Sequence, residues 1–315
     1  MRPGLNELHP EIGLRPMRSE LVEGPMILDG GLATQLEAQG ADLRSALWSA
    51  RLLADDPDAI VAAHRAYFAA GAQIATTASY QASLSGFAGI GLERSAAEGL
   101  IRRSVELAQR ARSECGDDRQ RWIAGSVGPY GAALADGSEY RGDYGVSVAE
   151  LREWHRPRIA LLAEAGADLL ALETIPCLAE VEALLAEVAG TGVSCWLSLT
   201  CTGDQTRAGE PASEAFAMAR DVTEVVAVGV NCLDPADALG LVRSATELSG
   251  RPAVVYPNSG EQWDADARAW TGSASFAAED VQAWLDAGAR LIGGCCRVGP
   301  AAIAAISTII KGQPA

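Results

Sequence analysis

What the chain lacks narrows it first. No run approaches the ~18 apolar residues that span a bilayer, and the first 24 residues hold no apolar core of a secretory signal. A cytoplasmic location is therefore expected. Basic charge is scarce: 25 Lys and Arg face 41 Asp and Glu, a formal net charge of -16. Nucleic acid is repelled by such a balance, and no basic stripe offsets it. The acidity serves solubility above all and mildly favours small cationic ligands. Histidine is scarce too, with three in the chain. His9 lies in the leader, while His64 and His155 sit mid-helix on what should be an outer ring, so packed roles suit them better than metal ligation. There is no low-complexity segment, no domain linker, and no CxxC or disulfide-framework spacing among the seven cysteines. An odd, unpatterned set points to free thiols or metal ligands.

What is present has a regular order. Length alone suggests two domains, but barrels of about 250 residues are the known exception. Residues 1–24 read as an irregular leader and 25–312 as one domain. Eight short, mostly non-alternating apolar runs read as strands buried on both faces: 26–29, 72–79, 122–128, 168–174, 193–200, 225–231, 252–258 and 289–294. Amphipathic stretches fill the gaps, and Gly71, Gly166 and Gly288 suit helix C-termini just before strands. Strict alternation over eight units predicts an α/β fold of the (β/α)8 TIM barrel type rather than an open doubly wound sheet. Two long connections, 130–146 and 259–275, fall on the C-terminal face where barrel active sites lie, and their Tyr, Trp and Asp content suits a lid.

The cysteines sort by position on this scaffold. Cys115, Cys177 and Cys195 read as small buried or incidental residues. Cys201, Cys232, Cys295 and Cys296 fall at C-terminal ends of strands five, six and eight. Strands six and eight are one strand apart, so Cys232 and the "GGCC" pair share a rim. Three converging thiols suit a zinc site with an open fourth position. A vicinal disulfide and inert core thiols are the alternatives, and Cys201 also meets the positional test. Gly293 and Gly294 are expected to let the backbone approach the ion. Such a site suits deprotonation of a substrate thiol, whose sulfur then attacks an electrophilic carbon. A cationic methylsulfonium is the matching second substrate. Asp29 and Glu173 end strands one and four and suit an amino-acid ammonium; helix capping or pairing with Arg is the plainer reading.

The segments "LDGGLATQLEAQG", "TTASYQAS", "AGSVGPYGAALADGSEYRGDY", "WHRPR", "ETIP", "GVNC", "VVYPNSGE" and "GGCCR" together resemble the homocysteine S-methyltransferases, and most closely their S-methylmethionine-using type. The resemblance covers about residues 25–310. It implies a zinc-dependent enzyme, with Zn2+ held by Cys232, Cys295 and Cys296 and no cysteine at the Cys201 position. It implies transfer of methyl from S-methyl-L-methionine, with S-adenosyl-L-methionine a second donor, to the zinc-bound thiolate of L-homocysteine, giving L-methionine. Asp29 and Glu173 are then expected to contact homocysteine. Trp48 and Tyr80 match pocket positions of the betaine-using relatives. Asn258 and Glu261, by their strand-seven location, are expected at the sulfonium donor. A selenol methyltransferase and a non-catalytic zinc- or thiol-sensing barrel are the alternatives.

Overall fold

The protein is described from a computed structural model that covers residues 17–43, 48–264, 269–274 and 277–312. Eight parallel strands form one sheet: β1 Met26–Ile27, β2 Ile74–Thr76, β3 Trp122–Val127, β4 Leu169–Ile175, β5 Cys195–Leu199, β6 Val225–Asn231, β7 Ala253–Tyr256 and β8 Ala289–Ile292. Their order is β1-β8-β7-β6-β5-β4-β3-β2. A parallel bridge between Leu28 and Ile74, with backbone bonds from Asp29 to Ile74 and from Gln73 to Ile27, joins β1 to β2. The expected TIM barrel is thus found, each strand lying within or at its predicted run.

The strands are buried on both faces, which explains their continuous hydrophobicity. One core fills the barrel with Met26, Leu28, Ile74, Trp122, Trp196, Val254 and Leu291 among others; a second, larger one lies between strands and helices. Helix starts and stops follow local chemistry. The Asp56 carboxylate caps the helix Pro57–Ala70 by accepting from Ala59 N–H, with Pro57 at the first position. Gly71, Gly166 and Gly288 all take positive φ where helices hand over to strands, as expected.

The leader and three connections carry regular structure not expected from the sequence. The segment read as irregular leader is helical over Met17–Glu23, and Met17 and Leu21 join the barrel-interior cluster. Periodicity over seven residues is too short to reveal such a plug. The β3 connection carries a short helix, Tyr130–Leu134, and a turn at Ser138–Tyr140. The β5 and β7 connections each form a small antiparallel hairpin, Cys201–Thr202 with Gln205–Thr206 and Gln262–Asp264 with Ala269–Thr271.

Candidate active site

Side chains of β1, β3, β4, β5, β6, β7 and β8 or of the residues just after them converge at the C-terminal face. Cys232 follows β6, and Cys295 and Cys296 follow β8. Their three Sγ atoms lie within 4.8 Å of one another, with Cys232 and Cys296 3.8 Å apart. All three are free thiols. A disulfide requires about 2.05 Å between sulfurs, so the vicinal-bridge alternative does not describe this arrangement. Tetrahedral zinc with Zn–S bonds of about 2.3 Å sets its sulfurs about 3.8 Å apart. The donor set therefore fits a soft divalent ion with no rearrangement of the Cys232–Cys296 pair. Cys201 is not in the cluster; it is buried in the β5 hairpin, and burial pushes its thiol up to about 12.

The charge of the cluster is not evenly held. Hydrogen bonds from Cys295, Cys296 and the Tyr140 hydroxyl, 3.4 Å away, hold Cys232 well below the ordinary thiol range. That negative sulfur pushes Cys295 and Cys296 up. Three thiolates this close need a cation to coexist.

The backbone around the sulfurs is fixed. Asn258 Oδ1 accepts from the Cys296 N–H at 3.1 Å, and Pro257 and Cys296 carbonyls tie the loop to β7. Glycine permits this packing, though not in the way expected. A Cβ on Gly293 would lie 2.6 Å from the Asp29 carbonyl, one on Gly294 2.1 Å from Val298 Cγ1, and one on Gly31 2.5 Å from the Cys295 carbonyl. The N–H groups of Gly293 and Gly294 bond to Val255 and Asp29 carbonyls. The glycines seat the cysteine loop against the end of β1 and against Val298.

Asp29 and Glu173 are both buried. Asp29 accepts from the Thr76 N–H at 2.8 Å and its hydroxyl at 3.1 Å. Burial nonetheless raises it to about 8, with the nearby Glu173 charge adding to the rise. Glu173 accepts from Ser126 Oγ and, at 3.0 Å, from the Tyr256 hydroxyl. Burial raises it to about 7 against those bonds. Neither caps a helix or pairs with an arginine. Two buried carboxylates whose ionisation burial opposes, with the Arg158 charge only partly offsetting this at Glu173, mark the rim as a candidate functional site.

Glu173 belongs to a wider net that sequence reading missed. Tyr256 Oη also meets Trp196 Nε1 at 2.9 Å and Ser198 Oγ at 2.8 Å. Ser198 donates to Asn231 Oδ1 at 2.8 Å, which also accepts the Thr174 N–H at 2.7 Å. The β4–β5 register slips between Leu172 and Ile175, and Thr174 adopts φ +60°. Cys232 and Arg297 adopt φ +56° and +66°. Three of the four non-glycine residues with positive φ among the described residues thus lie in the site, where strained backbone usually marks function.

Of the remaining expected residues, Tyr80 and Glu261 sit around the cluster: burial and the charges of Cys232 and Glu173 push the Tyr80 hydroxyl well up. Tyr80 is half-buried and packs on Gly128, where a Cβ would lie 2.6 Å from its ring. Trp48 begins the helix Trp48–Asp55, and its side chain lies outside the described residues. Glu261 accepts from Arg297 Nε at 3.2 Å and from Ser259 Oγ at 2.9 Å, beside Cys296.

The model of the family described as homocysteine S-methyltransferase matches residues 26–310, nearly the whole described chain. The chain belongs to that family. A homocysteine S-methyltransferase of Escherichia coli (strain K12) is 45% identical over 291 residues, covering 89% of this chain and 94% of its own. A selenocysteine Se-methyltransferase of Brassica oleracea var. italica is 43% identical, covering 90% and 88%. The metallated form of the homocysteine methyltransferase MmuM from Escherichia coli superposes with a TM-score of 0.84 at 42% identity, covering 93% of this chain and 99% of that one.

Within this methyltransferase the "WHRPR" segment supports the site from behind. Arg158 is buried and donates to the Gly128 carbonyl at the top of β3, with its guanidinium 4.6 Å from the Trp154 ring. His155 Nε2 meets Glu180 Oε1 at 2.8 Å, both fully buried, and Glu180 Oε1 accepts the Tyr130 N–H at 2.5 Å. His64 is also fully buried, and burial lowers it to about 4. Both helical histidines are packed, as expected, and His9 lies outside the described residues.

Proposed function

We propose that the enzyme is a zinc-dependent homocysteine S-methyltransferase that uses S-methyl-L-methionine, with S-adenosyl-L-methionine a second donor of the same sulfonium chemistry. The observation that carries this reading is the three-sulfur cluster of Cys232, Cys295 and Cys296, whose 3.8 Å Cys232–Cys296 spacing matches the edge of a zinc tetrahedron. Zn2+ bound there supplies a fourth position at which an acceptor thiol loses its proton at neutral pH. Asp29 and Glu173 hold the acceptor's ammonium and orient its sulfur. Tyr140 donates to Cys232 and so tempers the negative charge of the cluster. Tyr80, Trp48, Asn258 and Glu261 are assigned to the surrounding pocket, with Asn258 also fixing the Cys296 backbone.

The transfer balances without a general base at carbon. A new carbon–sulfur bond forms to homocysteine as the sulfonium carbon–sulfur bond breaks. S-methylmethionine leaves as methionine, homocysteine becomes methionine, and the acceptor's proton goes to solvent. Opposite charges annihilate in the transition state, which the buried setting favours. Three free thiols at the site suit a reducing, cytoplasmic compartment; among the described residues no helix is long and apolar enough to cross a membrane.

A donor panel with homocysteine as acceptor tests the reading. Methionine formation from S-methylmethionine, dependent on zinc and lost in Cys296→Ser, is the expected result. Turnover with betaine alone overturns the donor assignment, and undiminished turnover after zinc removal overturns the metal. A selenol acceptor is the second reading, favoured by the similarity to a selenocysteine Se-methyltransferase; competition between selenocysteine and homocysteine decides between them.

A further inference from the structure

Among the described residues, one cation beside the sulfur cluster has no carboxylate in ion-pair contact. Arg207 follows the β5 hairpin and is half-buried. Its Nε donates to Thr200 Oγ1 at 3.1 Å and its Nη1 to Thr202 Oγ1 at 2.7 Å. Thr200 Oγ1 donates in turn to the Cys232 carbonyl at 3.1 Å. The guanidinium also lies 5.6 Å from the centre of the Tyr140 ring, whose hydroxyl touches Cys232 Sγ. Its position next to the reacting centre is therefore fixed from two sides. Neighbouring arginines of this rim are neutralised, Arg141 by Asp136 and Asp143 and Arg297 by Glu261. Among the described residues Arg207 bonds only to hydroxyls and packs on an aromatic face, and its charge acts on the Cys232 sulfur of the cluster itself and on the buried Cys201 thiol. A guanidinium offers five N–H donors in a planar fork suited to carboxylate, and two of them are used here.

We propose that Arg207 recognises the α-carboxylate of the methyl donor, and so sets the preference for an amino-acid sulfonium over one without a carboxylate. The inference rests on the methyl-transfer reading. The donor is the better match than the acceptor. Asp29 and Glu173, assigned to the acceptor's headgroup, are buried on β1 and β4, whereas Arg207 comes from the β5 connection and stacks on Tyr140, which is 42% exposed. A cation reached from the solvent side suits the substrate that binds over the sulfur.

The test compares Arg207→Met and Arg207→Lys with wild type at saturating homocysteine, with S-methylmethionine and with trimethylsulfonium as donors. The ratio of their kcat/KM values is expected to fall roughly 10- to 100-fold in Arg207→Met, the size of a charge-assisted hydrogen bond, with partial recovery in Arg207→Lys. A ratio that does not move means that Arg207 only braces the hairpin, and overturns the proposal. So does a rise confined to the KM for homocysteine. Thermal stabilisation by methionine against methioninol gives a readout free of turnover, and methionine's advantage should vanish in Arg207→Met. If wild type accepts no sulfonium and that advantage is still lost, the methyl-transfer reading fails and the carboxylate site stands. If wild type turns over and the advantage persists, the carboxylate site fails alone.

Discussion

Replacing Glu173 by Gln removes one charge from the acceptor pocket and little else. The amide keeps one of the two acceptor oxygens that Ser126 and Tyr256 use, and its NH2 can donate to the other hydroxyl, whereas Ala would leave both buried without this partner at a cost of about 1–3 kcal/mol. In the free enzyme Glu173 titrates near 7 because it is buried. An ammonium binds the ionised form, so binding weakens below that point. At pH 6 about one tenth of Glu173 carries its charge, so its contribution to kcat/KM for homocysteine should fall about tenfold per pH unit further down, on top of the loss from Asp29. Asp29, raised to about 8 by burial with a smaller contribution from the Glu173 charge, titrates above it. Glu173→Gln should lower the plateau roughly 10- to 100-fold and remove the limb near 7, leaving that of Asp29. Stability moves the other way. The folded value lies above the ordinary 4.5, so the uncharged form is favoured by folding. This stability is complete below about 4.5 and is lost as pH rises through about 7, roughly 3 kcal/mol in all at about 1.4 kcal/mol per pH unit. The ligand-free variant should therefore gain in melting temperature relative to wild type between pH 5 and pH 8. Rate profiles and melts across that range check both halves. An unchanged acid limb, or a stability difference that shrinks as pH rises, refutes the reasoning.

Other perturbations probe the parts around it. Cys232→Ser should reduce bound zinc from about one per chain to a small fraction while the far-ultraviolet dichroism is kept; metal analysis after chelation reads this, and full zinc retention contradicts the three-sulfur site. Gly294→Ala places a Cβ where Val298 Cγ1 already sits, an overpacking of about 1–3 kcal/mol, and should lower both the melting temperature and zinc retention in a chelator titration. Asn231→Ala leaves the Thr174 N–H and hydroxyl unpaired and should destabilise by about 2–4 kcal/mol, seen as an earlier urea midpoint with a larger loss in kcat/KM than in Cys115→Ser. Asn231→Asp, which keeps the acceptor, should recover part of the stability.

The barrel was legible because parallel strands buried on both faces read as uninterrupted apolar runs, and positive-φ glycines such as Gly71, Gly166 and Gly288 mark several of the returns to the sheet. Residues at strand ends were legible with it: once order along the chain is known, Cys232, Cys295, Asp29 and Glu173 fall on one rim. Connections obeyed no such rule. Tyr140 reaches the Cys232 sulfur, and Arg207 the Tyr140 ring, only because a short turn and a hairpin fold them inward, and neither the spacing nor the composition of those loops carries that fact. Gly293 and Gly294 were rightly singled out, but sequence does not say which neighbour a missing Cβ makes room for.

The strained positions explain why this rim holds its chemistry so firmly. A β-branched residue is among the least suited to positive φ, yet Thr174 takes it directly after Glu173. The Asn231 amide grips both its N–H and its hydroxyl, and Ser198 and Tyr256 lock Asn231 to Glu173 in turn. Cys232, the next residue after Asn231, is strained as well, with its N–H on the Tyr256 carbonyl and its carbonyl held by Thr200. One connected set of hydrogen bonds therefore sets both the direction of the acceptor carboxylate and the place of the first sulfur. Each strained residue costs about 1–3 kcal/mol, and the surrounding net offsets it. A distortion at the carboxylate end therefore has a hydrogen-bonded route to the sulfur end through Asn231, so Asn231→Ala should disturb both ends at once.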